Sequence, residues 1–140
     1  MAKYFDLEEL LTSSTARQKS IENLPSWEVV EHLKELADFL DGLREEWGSS
    51  IIVSSGFRNK ALNKAVGGVE ESVHQLGYAV DMVPGNGKFK EFVECVKKWL
   101  VGKKFDQCII EKSKKSQWVH LALYNNTHRQ RGMIFLMDVK

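Results

Sequence analysis

"FDQCIIEKSKKSQWVHLALY", residues 105–124, sets two β-branched and aromatic runs on either side of a short lysine- and serine-rich break. Two such runs around a polar loop read as an antiparallel hairpin. Side chains alternate along a strand, so Trp118, His120 and Ala122 share one face while Val119 and Leu121 share the other. "GYAVDMV" at 77–83 is a second apolar strand, ended by Pro84, and "SSIIVSSGF" at 49–57 is another, stopped by serines and a glycine. "GMIFLMDV" at 132–139 reads as the last strand.

Helices occupy the rest. In "SWEVVEHLKELADFLDGLREEWG", 26–48, Val29, Leu33, Leu36, Leu40 and Leu43 recur at three- and four-residue spacing. Ser26 can cap its start and Gly48 its end. "KFKEFVECVKKWLVG", 88–102, puts Phe89, Phe92, Val96 and Leu100 on one face. "FDLEELL" opens with an aspartate and early acidic residues, a helix start, and "TSSTARQ" carries a second capping signal. "RNKALNKAVGG", 58–68, is a short helix or an irregular turn. Helices first and strands after give an α+β class, a small antiparallel sheet packed against helices. No repeat, linker or low-complexity segment interrupts the chain, so residues 1–140 are expected to form a single domain.

Composition narrows the function classes. A chain of 140 residues can bury a sizeable core without staples. A net charge of +1 offers no footprint for nucleic acid or a membrane surface, and neither is expected as a partner. Lys112, Lys114 and Lys115 read as a solvated loop. The N-terminus has no apolar stretch of signal-peptide type, so synthesis in the cytoplasm without a Sec signal is expected. Cys95 and Cys108 lie in apolar contexts and behave as small hydrophobes; any metal must use histidine and carboxylate instead.

Those residues exist. An aspartate between Val80 and Met82 on an apolar strand is costly unless its charge is compensated. His74 lies just upstream, where "ESVHQLG" suggests a loop turning at Gly77, and His120 lies on the hairpin. Two imidazoles and one carboxylate with an open fourth position have the composition of a catalytic zinc site. A His–Asp pair joined only by a hydrogen bond has the same residue types. His32, among the helix charges, and His128, in the loop "NNTHRQRG", are expected at the surface.

"SGFR" at 55–58, "LNKAVGG" at 62–68, "SVHQLGYAVD" at 72–81 and "WVH" at 118–120 together resemble the M15 zinc peptidases. The opening of the chain resembles the compact, phage- and prophage-associated branch of that family. The resemblance runs to about Tyr124. It implies the fold shared by DD-peptidases and hedgehog-like domains. It implies one zinc ion held by His74, Asp81 and His120, and makes Arg58 the residue that anchors substrate and polarises its carbonyl. Ser72 and Gln75 would orient ligands and line the substrate site with Trp118. The implied substrates are peptidoglycan stem peptides, cut as a D-alanyl-D-alanine carboxypeptidase or an L-alanyl-D-glutamate endopeptidase would cut them. A monomer is expected, acting on the cell wall once released, as a phage or prophage lysin.

The family's general base is commonly an acidic residue three positions before the last histidine, and here that position is Gln117. The nearest replacement is Glu111. A register that pairs Glu111 with Trp118 turns the carboxylate to the face of His120; one residue of slip turns it away. Asp106 and His128 are weaker candidates. Loss of the base would leave a zinc-containing module that binds wall peptide or protein, and a His–Asp pair without metal would leave a structural domain.

Overall fold

The computed structural model describes residues 2–68 and 72–139. Two short helices, α1 (Leu7–Leu11) and α2 (Ser14–Gln18), open the chain, capped by the side chains of Asp6 and Ser13. Helix α3 (Trp27–Trp47) starts where the Ser26 side chain accepts from the Val29 N–H and stops at Gly48 in the left-handed region. Strand β1 (Ile51–Ser55), helix α4 (Lys60–Ala65) and a 3₁₀ turn (Val73–Leu76) follow. Strand β2 (Ala79–Pro84), helix α5 (Phe89–Leu100) and strands β3 (Gln107–Lys112), β4 (Gln117–Ala122) and β5 (Met133–Asp138) complete the order.

The five strands form one sheet in the order β1-β2-β4-β3-β5. Among the first four each strand is antiparallel to its neighbours, as expected. β5 departs from the expectation by lying parallel to β3. The chain leaves β4, passes through residues 123–132, and returns beside β3 instead of turning back on β4. The buried Asp106 fixes that return: it accepts from the backbone and guanidinium of Arg131, with paired contacts of 2.8 and 2.9 Å, and its carbonyl receives Met133 N–H.

The two faces of the sheet differ in cover. Tyr78, Val80 and Met82 of the β2 segment, Val119, Leu121 and Leu123 of the β4 segment, and Cys108 and Ile110 of β3 join the helices in one apolar core. Leu33, Leu36, Leu40 and Leu43 of α3 are all fully buried there, with Phe92 of α5. The opposite face carries Asp81, His120 and Glu111. These titratable groups are thus collected on the side away from the helical layer.

Candidate functional site

His74 reaches this face through tight local packing. Gly56 follows β1, and a Cβ there would sit 2.3 Å from the Leu10 carbonyl oxygen, so only glycine fits beside α1. The same approach lets Phe57 N–H donate to Leu10 O at 2.8 Å. The Gly56 carbonyl then accepts from Nδ1 of His74 at 2.7 Å. Arg58 N–H donates to the carbonyl of His74, and Ser72 Oγ caps the 3₁₀ turn by accepting from His74 N–H. Gly77, at φ 79°, turns the chain into β2. With the proton held on Nδ1, Nε2 of His74 is left free to serve as a ligand atom.

That atom lies 3.4 Å from Oδ1 of Asp81, which is also 2.9 Å from Nδ1 of His120. Asp81 and His120 are cross-strand partners between β2 and β4. One ligand atom from each of the three residues falls within 4.8 Å of the others, the convergence a single divalent ion requires. Burial holds the His74 imidazole below its ordinary pKa, which keeps it neutral as a ligand must be. Burial alone would raise the Asp81 carboxyl; His74 and the hydrogen bond from His120 outweigh it and keep it well below the usual carboxylate range.

Glu111 pairs with Trp118 across the hairpin, so its carboxylate shares the face of His120. It accepts a hydrogen bond from the Trp118 indole Nε1. Burial pushes its pKa up, and the nearby Asp81 charge adds to the effect. Gln117, opposite Lys112, is exposed, and alternation turns it to the other face. Asp106 is fully buried and clamped by Arg131, so it is removed from the site as a base. His128 is exposed and stacks on Tyr124, ring centroids 4.1 Å apart.

Arg58 is half-buried and donates from Nη2 to Ser72 Oγ at 3.1 Å. Its Nε is buried without a hydrogen-bond partner among the described residues. Burial lowers its pKa, offset in part by Asp81 and Glu111, the two carboxylates of the site. Gln75 lines a cavity of about 320 Å³ with Lys60, Asn63, Lys64 and Gly68, next to the 3₁₀ turn.

His32 corrects an expectation. It is not a loose surface residue: its Nδ1 lies 2.6 Å from the Leu76 carbonyl, and its ring stacks on Tyr78 at 4.1 Å. It fastens α3 to the turn that carries His74. Asn23 was not singled out from sequence either, yet its side chain bridges Leu11 O, Phe57 O and Asn59 N–H on both sides of Arg58. An asparagine before a proline-containing turn offers no signal of such reach.

A mixed α+β fold with two histidines and an aspartate converging on its open sheet face has the ligand set of a hydrolytic metal centre. The family described as Peptidase M15 matches residues 3–122, and the chain belongs to it. A comparison with curated proteins finds no match. M15 peptidases are zinc-dependent, and the His74–Asp81–His120 group could hold that metal. β5 lies beyond the matched residues. No helix among the described residues is long and apolar enough to cross a membrane.

Proposed function

We propose that the chain hydrolyses peptide bonds in peptidoglycan stem peptides, as a D-alanyl-D-alanine carboxypeptidase or an L-alanyl-D-glutamate endopeptidase. His74, Asp81 and His120 hold one zinc ion, and Glu111 serves as the base. The observation that carries this reading is the Glu111–Trp118 register, which brings an acidic side chain onto the face of the His–Asp–His group.

When bound, zinc supplies a Lewis acid beside which water loses a proton near neutral pH. Glu111 takes that proton as the water attacks the scissile carbonyl, and returns it to the leaving amine. Its raised pKa suits both halves of the task. Arg58 spends only Nη2 on Ser72 among its described side-chain hydrogen bonds and so keeps guanidinium donors for the carbonyl oxygen as it gains charge. Ser72 steadies that guanidinium, and Gln75 and Trp118 flank the substrate. All these residues come from one chain, so a monomer suffices. Release from the cell, as a phage or prophage lysin is released, would bring the protein to its substrate.

The test pairs zinc content with wall digestion. Zinc-loaded wild type should release soluble peptide from labelled walls. Glu111→Gln should keep its zinc and lose roughly 10²- to 10⁴-fold in kcat. His120→Ala should lose the metal. A Glu111→Gln protein that cuts at the wild-type rate sinks the assignment of the base. Wild type that binds zinc and solubilises nothing turns the reading to a non-catalytic wall-binding module.

A further inference from the structure

The sheet ends on two unlike edges. β1, at one edge, carries a bulge between Val53 and Ser55, a device that turns an edge strand away from further pairing. β5, at the other, runs in unbroken register beside β3. The N–H groups of Met133 and Val139 donate to the carbonyls of Asp106 and Lys112 at 2.9 and 2.7 Å. Backbone groups alternate in direction along a strand. The odd-numbered residues therefore spend theirs on β3, and Ile134, Leu136 and Asp138 turn theirs toward the open edge. Edge strands are ordinarily guarded by charge, proline or a bulge. β5 has five apolar residues in succession before its one charge, Asp138. Both of its faces are open: Met133 and Met137 on one are 39% and 42% exposed, Ile134 and Leu136 on the other 41% and 74%.

We propose that β5 is a self-association strand: two copies of the chain join edge to edge through antiparallel β5 strands, about a two-fold axis at Leu136. Two-fold symmetry lets one strand serve both sides of the joint. Centred at Leu136, it pairs that residue with its own counterpart, and Ile134 of each copy with Asp138 of the other. All three outward-facing residues then exchange backbone hydrogen bonds. A centre at Phe135 would set Asp138 against Gly132, whose N–H is already given to Phe105. On the other face Phe135 meets Met137, an aromatic–sulfur pair, and Met133 meets Val139. Charge favours the same arrangement. The exposed Arg129 and Arg131 precede the strand and Asp138 closes it. Antiparallel pairing turns the acidic end of each copy toward the basic start of the other, whereas parallel pairing would set like beside like. The two Asp138 residues stand four positions apart along the joint, about 14 Å, beyond a Debye length of about 8 Å. One strand per copy lies at the low end of interface sizes, under about 1,200 Å², which makes the dimer reversible instead of obligate. This dimer departs from the monomer expected from the sequence. It adds a contact and no catalytic group, since the proposed site is complete within each chain.

Sedimentation velocity on the full chain, with zinc present, tests the pairing. The average mass of wild type should climb from one chain toward two, and stop there, between about 1 and 300 µM, the span in which weak interfaces fill. Leu136→Lys and Leu136→Glu each place like charges face to face at the axis, and each should raise the dimer Kd at least about tenfold. Neither touches the β3 ladder, because the side chain is exposed and the backbone groups of Leu136 face outward. An equimolar mixture of the two variants should form the dimer again, since lysine then faces glutamate. Ile52→Lys, at the opposite edge and 52% exposed in wild type, should dimerise as wild type does. Wild type that keeps the mass of one chain throughout overturns the proposal, as does growth past two chains. A Leu136→Lys protein that dimerises normally overturns it, and so does a mixture that fails to recombine, because the axis would then lie elsewhere. Loss of the dimer in Ile52→Lys assigns the contact to β1 and overturns it too.

Discussion

As the proposed base, Glu111 must gain and lose a proton in each turnover, and its immediate surroundings govern how readily it does so. Burial raises its pKa and Asp81 raises it further, while His120, the Trp118 indole N–H and Arg58 lower it by stabilising the ionised form. The indole also fixes the carboxylate's direction on the sheet face. Phenylalanine at 118 keeps the ring and removes the donor. Only the ionised form can accept a proton from water, so the acid side of the kcat/KM profile reports this group. Loss of a contact that favours the ionised form moves that limb to higher pH in Trp118→Phe. Profiles of both proteins, measured with zinc in excess, check it. A limb that stays in place, or moves to lower pH, means the indole does not hold the base.

At the scale of elements, the site depends on backbone crowding more than on the ligands' own strands. The "SGFR" turn between β1 and α4 touches α1 through Gly56 and Phe57, and the 3₁₀ turn through Gly56 and Arg58. Alanine at 56 would drive its methyl against the Leu10 backbone carbonyl, with no flexible side chain to yield. The turn must then shift, and with it the carbonyl that orients His74. Gly56→Ala should cost about 1–3 kcal/mol in unfolding free energy, the usual range for overpacking. Zinc affinity should fall roughly 10- to 100-fold, as it does when a ligand histidine loses its orienting partner. Competition with a chromophoric chelator measures the second effect, and an unchanged affinity would dissociate Gly56 from the site. The glycine stood in the sequence as part of a motif; its reason lies in α1, forty-six residues upstream, which periodicity cannot reach.

That limit applies to other elements. α3 was legible because five apolar residues repeat at helical spacing and end at a glycine. The hairpin was legible as two runs, but its register was not, since either pairing of Glu111 satisfies the same apolar pattern. The parallel course of β5 depends on the ion pair that the exposed Arg131 makes with the buried Asp106, long-range contacts that leave no periodic trace. His32 read as polar because its helical neighbours are charged, yet a carbonyl and a tyrosine ring absorb it. The His–Asp–His set was visible as residue types, and its convergence only as geometry.

At the scale of the whole molecule, two of the three proposed metal ligands, Asp81 and His120, lie on the same strands as core residues and on the opposite face, so site and core should melt together. Asp81 lies between Val80 and Met82, both fully buried, and His120 between Val119 and Leu121, also fully buried. Cys108 reports on this unit. It pairs with Leu121 from the core side, is fully buried, and burial pushes its thiol up to about 12, so it is inert while the sheet is intact. Cys95 on α5 is only partly covered and supplies an internal reference. Iodoacetamide at pH 8, followed by mass spectrometry, should label Cys95 well ahead of Cys108. Labelling of Cys108 requires opening of the sheet, and its rate then follows the population of the open state. A ligand bound only to the folded form lowers that population by a factor of about 1 + [L]/Kd, so free zinc at 100 Kd should slow Cys108 labelling roughly 100-fold. Cys95, which needs no global opening, should hardly respond. A Cys108 rate indifferent to zinc would mean that the sheet opens without releasing the metal, or that the three ligands do not hold it.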